Sequence, residues 1–128
     1  MKPWNSAYRK NVKYILDFLT EQNFPNVYVE GYSNEWIGCD IICKLGANYR
    51  IVIWCCTGEY VEDRKSRPFY VIRYEKDEEC IRYSAYNLKQ IYNFFNLSKV
   101  IGFKNAGEYI DKQTKRIAEE LKIKKDFV

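Results

Sequence analysis

The chain has 128 residues, a formal net charge of +4 and no histidine. This length fits one domain with a single hydrophobic core. The mild positive charge falls short of the strongly basic surface that by itself indicates nucleic-acid binding. The lack of histidine excludes Ser-His and Cys-His nucleophile pairs and histidine-containing zinc sites. Any catalysis would therefore use carboxylates, lysine, tyrosine or cysteine.

Tyrosine and cysteine are the informative residue types. The twelve tyrosines exceed what a core of this size needs, and tyrosine is enriched at interfaces because its hydroxyl end tolerates water. The sequence therefore predicts a tyrosine-rich interaction surface. No two of the five cysteines form a C-x-x-C pair. Their odd number and the lack of a signal-peptide pattern predict reduced thiols, a cytoplasmic location and no bound zinc. No apolar run reaches the roughly 18 residues of a membrane span, so we expect no membrane partner.

The first half of the chain predicts one helix and three strands. Apolar residues recur at helical spacing over residues 5–22, which predicts an amphipathic helix. A short strand is expected at 27–30, followed by two strands at 36–44 and 49–57 that are joined by a tight turn. These two strands are apolar on both faces, which predicts a sheet that is covered on both sides.

The second half predicts a charged loop at 58–67, a strand at 69–75 and a segment at 80–83 that pairs back on it. A second helix is expected to begin after Ser84, a last strand at 99–103, and a third helix from Asn105. The predicted fold is one α/β (α+β) domain over residues 1–128. It has a central mixed sheet, the order helix-strand-strand-strand-helix-strand, and a C-terminal helix.

Asp40 is the only carboxylate in the apolar segment from Trp36 to Cys43. Burying an unpaired charge is unfavourable, so Asp40 must have a partner. Backbone amides, or Arg50 across the hairpin, would give it a structural role. A metal ion would give it a catalytic one.

The element order and the strand Gly38-Cys39-Asp40-Ile41-Ile42 resemble the restriction-endonuclease-like superfamily, the PD-(D/E)XK nucleases, over about residues 5–103. In that family an acidic residue on this strand and a Glu-x-Lys or Asp-x-Lys on the next hold magnesium and orient the attacking water. The resemblance implies that Asp40 corresponds to the metal aspartate. The next strand departs from the pattern, because it has Trp54-Cys55-Cys56 where the acid and lysine would stand. Magnesium prefers oxygen ligands, so we expect a degenerate site without a cofactor.

A magnesium-dependent nuclease is an alternative. Asp63-Arg64-Lys65 is a literal Asp-x-Lys in the charged loop. If that loop folded over the sheet edge, Asp40 and Lys65 could act together with a loop carboxylate from Glu59, Glu62 or Asp63. Solvated loop charges are the competing interpretation.

The first hypothesis is a non-catalytic binding protein for nucleic acid or a nucleoprotein complex. By analogy alone, it could be a phage or mobile-element inhibitor of a host nuclease system. Its predicted binding residues combine cations with tyrosine on the first helix and the charged loop, namely Arg9, Lys10, Lys13, Tyr60, Arg64, Lys65 and Arg67. A tyrosine-rich protein-protein interaction module is the other alternative. The sequence does not give the oligomeric state.

Overall fold

The computed structural model describes residues 6–30, 38–56 and 70–126. The elements in these ranges are α1 (Ser6–Glu21), β1 (Val27–Glu30), β2 (Gly38–Gly46), β3 (Tyr49–Cys56), β4 (Tyr70–Lys76), β5 (Glu79–Ala85), α2 (Leu88–Ile101) and α3 (Phe103–Asp126). The strands form one sheet in the order β1-β2-β3-β4-β5, and each strand is antiparallel to its neighbour.

The α+β class and the C-terminal helix are confirmed, but the predicted mixed sheet and element order are wrong. The sheet is antiparallel, and within the described ranges no strand follows α2. Residues 99–103 instead contain the end of α2, Gly102 and the first residue of α3. Gly102 has a φ of +85°, which breaks the helix at a conformation that glycine adopts readily. The Phe103 ring then contacts Phe94, with 5.8 Å between centroids, and anchors the start of α3.

The second helix also begins later than predicted. Ser84 lies in β5, and the N-cap of α2 is Asn87, whose side-chain oxygen accepts a hydrogen bond from the Gln90 N–H at 3.0 Å. The first helix ends as its sequence suggests. Asn23 has a φ of +63°, and the Phe24 N–H donates to the Leu19 carbonyl oxygen at 3.1 Å.

The three helices form one core with a single side of the sheet, which we call the inner face. On α1 the buried residues are Val12, Ile15 and Leu19, as the helical spacing predicts. The remaining core comes from the inner side of the strands and from α2 and α3, including Ile41, Ile51, Ile53, Ile72, Phe94, Phe95 and Ile110. None of the described helices covers the opposite side of the sheet. The described helices thus confirm cover on the inner face. Ile42 and Val52 on the opposite side are also fully buried, and cover of that side stays a prediction.

The contact between α3 and β5 is close and partly polar. A Cβ on Gly107 would lie 2.2 Å from the Tyr83 ring, so only glycine lets α3 approach β5 this closely. Asp111 accepts a hydrogen bond from the Ser84 N–H at 2.8 Å, and the Thr114 hydroxyl contacts the Ser84 carbonyl oxygen at 2.8 Å. These two side chains satisfy backbone groups of an edge strand.

Candidate functional site

The side of the sheet that points away from the helices, which we call the outer face, carries most of its charge. Register places its side chains in three rows that cross the strands. The first row is Glu30, Asp40, Trp54, Val71 and Ser84; the second is Tyr28, Ile42, Val52, Arg73 and Arg82; the third is Lys44, Arg50, Glu75 and Cys80. The third row lies beside the two strand-connecting turns at residues 47–48 and 77–78.

Four of these side chains form an ion-pair network across β2, β3 and β4. Arg50 Nε lies 2.6 Å from Glu75 Oε1, and Arg73 Nε lies 3.0 Å from Glu75 Oε2. Arg73 Nη2 also reaches Asp40 Oδ2 at 3.4 Å. To make this last contact the Arg73 side chain must cross β3, where Val52 is its direct neighbour. The Arg73 side chain therefore passes over Val52, which is fully buried together with its neighbour Ile42 on a face without a described helix.

The network fixes the charge of its central carboxylate. Partial burial opposes ionisation of Glu75, but hydrogen bonds from Arg50 and Arg73 outweigh it and hold the pKa of the Glu75 carboxyl below its ordinary value. The hydrogen bond with Glu75 in turn raises the pKa of the Arg50 guanidinium above its ordinary value. Glu75 is therefore ionised wherever the protein is folded near neutral pH.

The predicted pairing of Asp40 with Arg50 is wrong. Arg50 stands opposite Lys44, four residues along β2 from Asp40, and its guanidinium binds Glu75. Asp40 contacts Arg73 instead, while its Oδ1 is buried without a hydrogen-bond partner. Among the described residues, no three His, Cys, Asp or Glu side chains group as metal ligands would. The carboxylates Glu59, Glu62 and Asp63 and the cation Lys65 lie outside the described residues, so the magnesium alternative stays a prediction.

Three pairs of like charges face each other on the outer face. Lys44 is directly opposite Arg50 and Arg73 is directly opposite Arg82, while the carboxylate Glu30 is directly opposite Asp40. Like charges in such cross-strand positions destabilise a sheet. In the described part of the structure Lys44 and Arg82 are exposed and have no carboxylate partner. The outer face therefore has two unpaired cations in addition to the two arginines of the network.

A depression of about 310 Å³ opens at the third row, beside the two turns. Its lining includes Tyr28, Lys44, Arg50 and Glu75. A neighbouring depression of about 500 Å³ shares Tyr28, Lys44 and Gly46 with it. The Tyr28 side chain is 40% exposed. An aromatic ring, two cations and the carboxylates of Glu75 and Asp77 thus border the same open volume.

The predicted binding residues are only partly visible. Lys10 and Lys13 are exposed on α1, which packs on the inner face, so they lie on the opposite side of the sheet from Asp40. Arg9 belongs to α1, but its side chain lies outside the described part. The loop residues Tyr60, Arg64, Lys65 and Arg67 lie outside the described ranges as well.

The cysteines divide between the two faces. Cys39, Cys43 and Cys55 are buried on the inner face, as expected for small apolar side chains, and burial raises the pKa of the Cys43 thiol to about 11. Cys80 is exposed on the outer face, 4.0 Å from Glu75. The side chain of Cys56 lies outside the described part.

The sequence does not predict a charged outer face, because the two strands of the central hairpin have an apolar pattern on both sides. A signal for its charges exists in β4 and β5, where Arg73, Glu75 and Arg82 alternate with the buried residues Ile72, Tyr74 and Tyr83. This period of two marks a face in contact with water.

No family model, no curated protein and no solved structure matches the chain. The resemblance to restriction-endonuclease-like proteins therefore stays a prediction from the residues. None of the described helices combines the length and the apolar character that crossing a membrane requires.

Proposed function

We propose that the protein is a non-catalytic binding protein whose outer face binds nucleic acid, either free or within a nucleoprotein complex. The observation that supports this most directly is the two cationic cross-strand contacts, Lys44 with Arg50 and Arg73 with Arg82. Each contact opposes folding of the free sheet, and the carboxylates Glu75 and Asp40 offset this repulsion only in part. A bound phosphate would reduce the repulsion between the two cations of each contact. Binding would therefore restore part of the folding free energy that this repulsion removes.

The surroundings of Asp40 support binding rather than metal-assisted chemistry. Asp40 contacts the Arg73 guanidinium, and a cation at this position would oppose binding of a magnesium ion by Asp40 and by Glu30, the carboxylate directly opposite it. Magnesium needs several oxygen ligands, and the other carboxylate of the network, Glu75, is already held by Arg50 and Arg73. Inhibition of a host nuclease by such binding stays a prediction.

Charge reversal at the unpaired cations tests the proposal. We expect the double variant Lys44→Glu/Arg82→Glu to bind a fluorescein-labelled oligonucleotide at least about tenfold more weakly than the wild type, measured by fluorescence anisotropy. Wild-type affinity should fall roughly twentyfold between about 50 and 200 mM salt if three cations contact phosphates of a single strand. Lys89→Glu/Lys112→Glu is the matched control, because both lysines are exposed on helices and make no ion pair among the described residues.

The variant Lys10→Glu/Lys13→Glu separates the outer face from the helix surface that the sequence favoured. Equal or greater loss of affinity in this variant would place the contact on α1 and refute the outer face. Failure of the wild type to bind any oligonucleotide at low salt would refute nucleic-acid binding as a whole.

A protein partner is the second candidate. Tyr14, Tyr109 and Val100 are exposed on the helices, at 49%, 56% and 82% of their surfaces. Such side chains supply contact area in protein interfaces. Complex formation with a protein through them would respond little to salt, whereas phosphate binding responds steeply.

A further inference from the structure

We infer that the nucleic acid bound by the outer face is single-stranded, with one base stacked on Tyr28 and the backbone held by Lys44, Arg50 and Arg82. This inference rests on the proposed function and specifies its ligand. The elements that carry it are the second and third rows of the outer face and the depression between Tyr28, Lys44 and Arg50.

Tyr28 is the first part of the argument. It stands on the edge strand β1, in the second row, and its side chain borders both depressions together with Lys44. The ring is 40% exposed, although a tyrosine on a sheet can bury its ring against neighbours. An exposed ring beside a cation is the arrangement on which an unpaired base stacks while its phosphate contacts the cation.

The positions of the cations fit a strand that runs across the sheet. Lys44, Arg50 and Arg82 lie on β2, β3 and β5, and Tyr28 lies on β1. Four strand spacings of about 4.8 Å separate β1 from β5, roughly 19 Å in all. This distance corresponds to about six nucleotides of a stacked single strand at ~3.4 Å per nucleotide. A short oligonucleotide can therefore contact the ring and all three cations at once.

The composition of the face argues against a duplex. In double-stranded nucleic acid the bases are stacked on each other, so the Tyr28 ring has no free base to contact. The described part of the outer face is a sheet surface without a helix that could enter a groove. A duplex also has about twice the charge per unit length of one strand, and Asp40 and Glu75 would oppose that density. A single strand is flexible enough to place its phosphates beside Lys44 and Arg82, which have no carboxylate partner among the described residues, and to approach Arg50 on the side away from Glu75.

Tyrosine variants provide the first test. In an anisotropy titration with a labelled oligonucleotide of about ten nucleotides, Tyr28→Ala and Tyr28→Leu should each lose about tenfold in affinity, because both remove the stacking ring. Tyr28→Phe should bind as the wild type does, since its ring remains. Tyr14→Ala is the matched control, because Tyr14 is similarly exposed but lies on α1. Unchanged affinity in both Tyr28→Ala and Tyr28→Leu would overturn the base-stacking assignment.

The same oligonucleotide annealed to its complementary strand as a blunt-ended duplex provides the second test. We expect at least about tenfold tighter binding of the single strand than of the duplex, and an unchanged duplex affinity in Tyr28→Ala. Equal or tighter binding of the duplex would overturn the single-strand inference while leaving the proposed function intact. Failure of both ligands to bind, or an unaffected Lys44→Glu/Arg82→Glu variant, would instead overturn the proposed function.

Discussion

Glu75 is the residue on which the geometry of the outer face depends. Its two carboxylate oxygens bind different arginines, Arg50 at 2.6 Å and Arg73 at 3.0 Å. Isolated surface ion pairs contribute little to stability. Here, however, the Glu75 side chain is 23% exposed and both contacts are hydrogen bonds, which makes them stronger. Because Arg73 goes on to Asp40, loss of Glu75 would release the side chain that shields Val52.

The low pKa of Glu75 predicts a loss of stability in acid. Since the folded-state pKa lies below the ordinary value of 4.5, ionised Glu75 favours folding. That contribution is complete above about pH 4.5 and disappears as the pH falls through the lower folded-state pKa. Glu75→Gln should reduce stability at pH 7 by about 1 kcal/mol and should lessen the difference in urea midpoint between pH 7 and about pH 3.

Glu78→Gln is the control for this prediction, because Glu78 is exposed in the β4–β5 turn and outside the ion-pair network. An unchanged pH difference in Glu75→Gln would mean that the network does not link protonation to folding.

At the scale of elements, the packing of α3 on β5 holds the C-terminal helices against the sheet. Gly107 allows contact with the Tyr83 ring, and Asp111 and Thr114 bind the backbone of Ser84. Thr114 also accepts a hydrogen bond from Gln90 of α2 at 3.0 Å. The two C-terminal helices and the last strand are thereby joined through side chains as well as through apolar contact.

Gly107→Ala should therefore destabilise the protein. Alanine favours a helix over glycine by about 1 kcal/mol, but its Cβ would overlap a buried ring, and overpacking of this kind costs about 1–3 kcal/mol. We expect a net loss of about 1 kcal/mol in the free energy of urea unfolding. Glu108→Ala, at the next and exposed position of α3, should change stability by much less. A Gly107→Ala protein as stable as the wild type would show that Tyr83 can move aside without loss.

Local patterns correctly predicted those helices and strands in which the apolar residues of the sequence pattern are the ones that are buried. Val12, Ile15 and Leu19 marked α1, and the hairpin of β2 and β3 followed from two apolar runs and a turn. The pattern failed at Val100 and Ile101, whose β-branched side chains suggested a strand. Both are exposed and belong to the last turn of α2, which ends where the Gly102 N–H donates to the Ser98 carbonyl oxygen at 3.0 Å. The candidate site depends on pairing across strands. No linear pattern places Arg73 beside both Asp40 and Glu75, so the sequence left the partner of Asp40 open.

For the molecule as a whole, the arrangement of charge matters more than its sum. A net charge of +4 on 128 residues gives only a weak general attraction to nucleic acid. The outer face has four cations, Lys44, Arg50, Arg73 and Arg82, and three carboxylates, Glu30, Asp40 and Glu75. Because Arg50 and Arg73 are held by Glu75 and Asp40, the local positive field arises at Lys44 and Arg82, without a strongly basic protein. The like-charged cross-strand pairs also repel each other within the folded sheet.

This arrangement predicts that stability and affinity respond in opposite directions to the same change. The double variant Lys44→Thr/Arg82→Thr removes the repulsion opposite Arg50 and Arg73 and introduces a residue that favours strands. We expect its free energy of unfolding to rise by about 0.5 kcal/mol, while its affinity for a single-stranded oligonucleotide falls about tenfold. Urea denaturation and anisotropy titration of the same preparation measure the two effects. Lys89→Thr/Lys112→Thr removes the same charge from exposed helix positions, so it should not weaken binding. Its stability should change little, because threonine is a poorer helix former than lysine, while loss of Lys89 removes a cation from the first turn of α2, where the helix dipole disfavours it. If the outer-face variant lost both stability and affinity, Lys44 and Arg82 would be residues that stabilise the fold. That result would contradict the idea that their repulsion lowers stability while their charge promotes binding.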